Sequence, residues 1–224
     1  MPRRISPFVS NGYYHVFNRG VNKSDIYLVT RDYNQMLLST NYYRFKNPSV
    51  KLSRLKLLSV TKQSQILAEL ESTNNTLVDI MSFVFMPNHF HFLLKQNVDF
   101  GVSKFISQLT NSYTRYYNTS HNRTGHLFQG QFKSVEIESE DQLIHVSRYI
   151  HLNPYVSRLI SKKTLDSYIY SSYLNYVSTK ANFVNCNEIL NIVGSKKSYE
   201  DFVIGHADYA RELEIIKHQT IDID

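Results

Sequence analysis

His89 and His91 stand two residues apart in the run Met-Pro-Asn-His-Phe-His-Phe-Leu-Leu, residues 86–94. Residues i and i+2 of a β-strand point to the same face. A strand here therefore sets the two imidazoles side by side, with Cα atoms about 7 Å apart at a rise of about 3.3 Å per residue. At that spacing both ring nitrogens can converge on one metal ion. Phe90, Phe92 and Leu94 then turn toward a core on the other face. The plainer assignment makes one histidine a hydrogen-bonded core residue and the other a surface residue. A third ligand and a reacting group are what distinguish the two.

Those belong to residues 139–153, which carry strong helix signals. Ser139 is an N-cap, Glu140 and Asp141 fill the first turn, Gln142 completes a capping box, and Pro154 ends the run. At 100° per residue Leu143, Val146 and Ile150 form a narrow apolar ridge, bordered by a polar stripe of Gln142, His145, Tyr149 and Asn153. Tyr149 and Asn153 lie one turn apart. An amide oxygen is a reasonable hard ligand beside two imidazoles, so His89, His91 and Asn153 would hold a divalent ion such as Mg²⁺ or Mn²⁺, with positions left for water and phosphate oxygens. The Tyr149 phenol beside that ion would attack a polarised phosphorus atom. Seventeen tyrosines also make a coincidental placement easy.

The remaining elements must position these groups. Residues 12–20 read as a first strand with Tyr13, His15, Phe17 and Arg19 on one face, and His15 there either faces a site or, more plainly, is a hydrogen-bonded structural residue. Residues 31–43 read as a helix. Residues 50–75, Lys-rich at first and then helix-like over 63–71, read as a surface insertion. Residues 78–86 are apolar on both faces, as a central strand covered by helices requires. Pro87-Asn88 turns that strand into the histidine-bearing one, making a tight antiparallel hairpin in mid-sheet. A helix over 101–118 buries Val102, Phe105, Ile106, Leu109, Tyr113 and Tyr116, and residues 126–137 look strand-like.

Charge divides the chain. Residues 1–163 carry 20 Lys and Arg against 10 Asp and Glu, a net +10, whereas residues 164–224 carry 5 against 9, a net −4. We divide the chain at that point into a catalytic domain over 1–163, with its insertion at about 47–76, and an acidic C-terminal extension over 164–224. A basic body fits a polyanionic partner, because neutralised phosphates release counterions. Thirteen Phe and seventeen Tyr offer rings on which unpaired bases stack. The single Cys186, the lack of an 18-residue apolar run and an N-terminus without an apolar core make a reducing, cytoplasmic, nucleoid-associated setting the expectation, with no membrane partner.

His-Phe-His after Met-Pro-Asn, followed by Arg-Tyr-Ile-His-Leu-Asn-Pro at 148–154, resembles the single-tyrosine HUH transposases of the insertion-sequence-200 type. The branch of REP-associated tyrosine transposases is the nearer likeness. Tyr-His-Val-x-x-Arg-Gly at 14–20, Arg-Thr-Gly-His-Leu-Phe-Gln-Gly at 123–130 and Tyr-x-x-Ser-Ser-Tyr at 168–173 occur in the order that branch shows. The resemblance spans roughly residues 10 to 175. It implies an α+β fold of ferredoxin-like or RRM-like type, a central antiparallel sheet with helices packed on it. It also implies His89 and His91 as the metal-binding pair, Asn153 as third ligand and Tyr149 as nucleophile. Gln131 departs from the arginine often found after the Leu-Phe-Gln-Gly run, and the insertion has no counterpart in the pattern.

The joint reading is a metal-dependent single-strand DNA endonuclease and strand transferase acting on hairpin-associated DNA through a 5′-phosphotyrosine. Arg19, Arg115, Arg123, Lys133 and Arg148 are its expected DNA-contacting bases. The site is completed either within one chain or across a homodimer. Two rivals stand beside it: an RRM-like nucleic-acid-binding module with structural histidines, and a metal-dependent hydrolase without a covalent step.

Overall fold

A computed structural model describes residues 8–179 and 183–212. Three strands lie where alternation and apolar runs place them: β1 Tyr13–Arg19, β2 Val78–Met86 and β3 His89–Gln96. A fourth, β4 Lys133–Ile137, is shorter than the strand-like stretch over 126–137. The strands form one antiparallel sheet in the order β2-β3-β1-β4. The helices are α1 Thr30–Tyr43, α2 Leu52–Leu55, α3 Val60–Thr73, α4 Gly101–Ser120, α5 Glu140–Val156, α6 Tyr173–Val177, α7 Asn187–Val193 and α8 Lys196–Ile204.

The pleat of β3 divides the molecule into two cores. Phe90, Phe92 and Leu94 face one side, where Phe105, Leu109 and Tyr113 of α4 and Met36 of α1 join them in a buried cluster. Leu93 faces the other side with Met81, Val84 and Met86 of β2, against Leu143 and Ile150 of α5. Tyr173 and Tyr176 of α6, Ile189 of α7, and Tyr199 and Val203 of α8 belong to this second cluster. The C-terminal helices thus pack on the face that carries the two histidines.

Three expectations about elements are corrected. β2 is an edge strand, not a central one, so the hairpin does not lie in mid-sheet. It is apolar on both faces because helices cover both, and its free edge is closed by other means. Phe85 donates its N–H to Tyr170 O at 2.9 Å, Ser172 N–H reaches Phe83 O at 3.0 Å, and Asn185 N–H reaches Ile80 O at 2.9 Å. Secondly, α4 runs on to Ser120, so Tyr117 and His121 stay in register with rings 4.4 Å apart. Tyr116, expected on the buried stripe, is only half-buried and reaches Asp32. Thirdly, α5 continues past Pro154 to Val156. Proline removes one donor, but one more turn still forms, since Ser157 N–H reaches Asn153 O at 3.0 Å. Gln142 Oε1 accepts from Glu138 N–H at 2.9 Å, while Ser139 caps Gln142 N–H.

The insertion is a helical arm. Leu52 and Leu55 bury against Tyr42 of α1, with Leu58, Ile66, Leu67 and Leu70 packed around them. Among the described residues no helix is long and apolar enough to cross a membrane.

Candidate active site

The turn between β2 and β3 is fixed by two contacts. Gly20, at the end of β1, donates its N–H to Asn88 O at 2.8 Å. A side chain at Gly20 would put Cβ 2.1 Å from Ser24 O, so only glycine permits this approach. Asn88 Nδ2 donates to Lys23 O at 3.0 Å, which leaves its Oδ1 facing His89 Nδ1 at 2.6 Å. With its proton on Nδ1, donated to Asn88 Oδ1, His89 leaves its Nε2 lone pair bare.

That bare nitrogen faces Asn153 Oδ1 at 3.3 Å. Two acceptors with no hydrogen between them are what a shared cation would satisfy. Neighbouring ligands of an octahedral ion with bonds of about 2.1 Å sit about 3.0 Å apart, close to the spacing seen. His91 is buried, and its ring lies 5.1 Å from that of His89, nearly perpendicular to it at 88°. Its Nδ1 lies 2.9 Å from His15 Nε2. If the shared proton sits on His91 Nδ1, His91 Nε2 is the ligand atom and His15 is the acceptor that orients the ring. His89, His91 and Asn153 therefore fit a hard divalent ion. Among the described residues no three His, Cys, Asp or Glu side chains form a metal-holding group.

The electrostatics keep these rings neutral. Burial lowers His15 to about 4. Burial, with the Arg19 charge, lowers His89 to about 4 against a smaller opposing effect of the Asn153 contact. Burial foremost, then His15, His89 and Arg19, holds His91 well below the ordinary range. Neutral imidazoles at pH 7 have lone pairs available for coordination.

Tyr149 borders this group. Its ring lies 5.5 Å from His91 at 90° and 5.8 Å from His15 at 73°, and at 49% exposure it is open to a large substrate. The competing tyrosines are engaged elsewhere: Tyr113 donates to Ile26 O, Tyr116 to Asp32, Tyr117 to Asp25 O and Tyr155 to Asp208. The back of α5 is held by His151, fully buried between Tyr199 Oη and Ser172 Oγ, each at 2.7 Å.

The five bases expected to touch DNA are scattered. Arg19 pairs with His89 across β1 and β3 and is exposed at the rim of the site. Lys133 pairs with Phe17, whose ring lies 5.5 Å from His91. Both Phe17 and Lys133 line a groove running between α4 and β4. Arg148 turns away from the site, its guanidinium 4.3 Å over the Phe202 ring. Arg123 is spent on Asn118 Oδ1 and His126 O within its own loop. Arg115 is exposed on α4, across the sheet from the histidines. His15 is the site residue that strand periodicity alone leaves outside. Its hydrogen bond is as expected, but its partner is a candidate ligand, a fact that depends on cross-strand register.

Residues 53–153 match the family model described as IS200-like transposase. That segment holds β2, β3, α4, β4 and most of α5, and leaves out β1 and α6 to α8. Among solved structures the chain is similar to a REP-associated tyrosine transposase bound to a REP hairpin. The two share 12% identity over 83% of this chain and 94% of that one, with a TM-score of 0.52. No curated protein matches the sequence.

Proposed function

We propose that this chain, whose residues 53–153 match the IS200-like transposase family model, cleaves and rejoins single-stranded DNA beside hairpins, with Tyr149 as nucleophile. The observation that carries the reading is the exposed Tyr149 ring set edge-on to His91, one helical turn from an Asn153 oxygen that faces the bare Nε2 of His89. The phenol oxygen attacks the scissile phosphorus and forms a Tyr149–phosphate ester on the 5′ side. The bond from phosphorus to the 3′ oxygen breaks, and that oxygen leaves as a hydroxyl with the proton the phenol gives up. The ester conserves the phosphodiester bond, so another 3′-OH can attack it, restore the phenol and join two strands.

His89, His91 and Asn153 would hold Mg²⁺ or Mn²⁺, which when bound supplies charge stabilisation to the phosphoryl oxygens. His15 keeps the His91 ring oriented. α5 fixes Tyr149 relative to Asn153, so the nucleophile approaches from one side of the ligand set. Arg19 lies at the rim, where it suits a neighbouring phosphate. The groove from Phe17 to Lys133 would take the strand leading away from the scissile bond. Its exposed backbone edge and rings suit unpaired bases.

The experiment is to incubate the protein with a single-stranded oligonucleotide carrying a hairpin, with and without Mn²⁺, and to resolve products under denaturing conditions. A metal-dependent covalent protein–DNA adduct that maps to the Tyr149 peptide is the expected result. Free cleaved DNA without an adduct indicates a hydrolase, and binding without any product indicates an idle binding module. Either outcome overturns the proposal.

A further inference from the structure

The helical arm over 47–76 lies outside the chemistry derived above, and its cations gather in its first part, with the acids Glu69 and Glu71 toward its C-terminal end. Residues 44–62 hold six basic residues, Arg44, Lys46, Lys51, Arg54, Lys56 and Lys62, and no acid. The arm sorts these cations outward: Leu52 and Leu55 are buried, while Lys46, Lys51, Arg54, Lys56 and Lys62 are exposed. Arg44 alone is used internally, toward Asn41 and Glu71.

Three lysines elsewhere are paired with carboxylates. Lys197 meets Glu200 and Asp201, Lys162 meets Asp208, and Lys95 meets Glu188. Among the described residues none of the five exposed arm cations lies within 4 Å of a carboxylate. Lys56 bonds the neutral Gln35 Oε1 at 2.6 Å.

A second element extends the patch. Arg31 of α1 lies 6.0 Å from the Tyr116 ring of α4, and Lys56 Nζ lies 5.3 Å from the same ring. The nearby carboxylate, Asp32, is already taken up by His121, by Tyr116 and by the N–H groups of Leu28 and Val29. Two like charges are thus drawn to one ring, and among the described residues neither lies within 4 Å of a carboxylate. Burial and the Arg31 charge pull Lys56 below its ordinary value, as expected where a counter-ion is lacking. At the far end of the arm, Lys104 of α4 reaches Lys46 O at 3.5 Å and adds a further exposed cation.

We propose that the α2–α3 arm, with Arg31 of α1, is a second grip on the phosphodiester backbone of DNA, remote from the catalytic groups. α1 and α4 pack on the Phe90 and Phe92 face of the sheet, whereas His89, His91 and Tyr149 lie on the other. The contact is made to phosphates and not to bases, since lysines and arginines on an open helical surface read charge and spacing. It holds a segment of the substrate away from the cleaved one, so it acts on affinity and leaves the reaction alone. The choice of DNA rests on the reading given under Proposed function.

The test compares the wild type with a Lys51→Gln/Arg54→Gln/Lys56→Gln protein and, separately, with Arg31→Gln. Affinity for a hairpin-bearing oligonucleotide is measured across a salt series, and adduct formation is measured on a short unstructured strand at saturating concentration. At roughly 0.9 per phosphate contact, the triple variant should lose about 2 to 3 from the slope of log affinity against log salt. Arg31→Gln should lose about 1, and the adduct rate should be unchanged in both. An unchanged slope in the triple variant overturns the inference even where the wild type forms the adduct. A lowered slope in a protein whose wild type forms no adduct sustains it while sinking the catalytic reading. Leu57→Gln, at a site 84% exposed on the same arm, serves as control, and a slope lost equally there would mean that arm integrity, not charge, is responsible.

Discussion

At the scale of single residues, the exposed Tyr149 and the buried imidazoles beside it give separable expectations. Tyr149→Phe removes one oxygen from a half-exposed ring, so fold, metal affinity and DNA affinity should persist while the covalent adduct disappears. Adduct formation by that variant would show that another tyrosine reacts. His15 supports a different expectation, because its Nε2 lies 2.9 Å from His91 Nδ1. His15→Ala should weaken Mn²⁺ binding about 10- to 100-fold, the usual range for losing an orienting partner behind a ligand. His15→Gln, whose carbonyl can still accept from His91, should recover most of it. Calorimetry with Mn²⁺ decides, and equal affinity in the Ala variant would mean that His91 needs no such support. The His89 and His91 pair was legible from an alternation of period two, and Tyr149 with Asn153 from a spacing of four. His15 was not, because nothing in a single strand reveals that β1 and β3 pair with Phe17 opposite His91. Arg148 was misleading for the converse reason. Its neighbour in sequence is Tyr149, but one helical step of 100° turns it toward Phe202.

At the scale of elements, hydrophobic pattern reported coverage and not position. β2 is apolar on both faces and reads as interior, yet it is the sheet's edge, closed by the segment around Ser171 and Ser172. Nothing in a strand's own composition says whether its outer neighbour is another strand or a looping segment 90 residues later. The Tyr-x-x-Ser-Ser-Tyr stretch acquires its physical meaning here. Tyr168 Oη donates to Phe85 O at 2.6 Å, and Ser172 Oγ accepts from Phe83 N–H at 2.8 Å while also meeting His151. Ser172→Ala leaves a buried N–H and a buried imidazole nitrogen without that partner, which should cost about 1–3 kcal/mol. Urea unfolding monitored by circular dichroism checks it, and a change under about 0.5 kcal/mol would show that the edge is held by backbone contacts alone. Helix ends were the least legible feature. Pro154 stops a helix in isolation, but with Leu152 and Tyr155 buried beside it, packing carries α5 one turn further.

At the scale of the whole molecule, charge suggested an acidic appendage, whereas burial joins α8 to α5 through Tyr199 and His151. Composition could not convey this, since Tyr199 and Val203 sit fully buried in a helix whose other faces are charged. The join has a pH consequence. Burial lowers His151 to about 3, while in the unfolded chain it titrates near its ordinary 6.5. Its contribution is complete above pH 6.5 and is lost as pH falls from there toward 3, because the unfolded chain takes up a proton that the fold refuses. The slope approaches about 1.4 kcal/mol per pH unit for one such group, and His15 and His89, lowered to about 4, act in the same sense. Unfolding free energies at pH 7, 6 and 5 should fall accordingly, and His151→Gln should flatten the slope by up to one proton. An identical slope in that variant would assign the acid sensitivity elsewhere. The arrangement along α5 also governs how this stretch can be edited. Tyr149 and Asn153 face His91 and His89 while His151, about 200° around from Tyr149, faces the C-terminal helices. Adding one residue between Tyr149 and His151 would set them about 300° apart and removing one about 100° apart, so either change ends their placement on opposite sides of the helix. Two faces of the helix thus fix the spacing of this segment, and a chimera that swaps the C-terminal helices for those of a relative takes its crossover after Ser157 and imports partners for His151 with them.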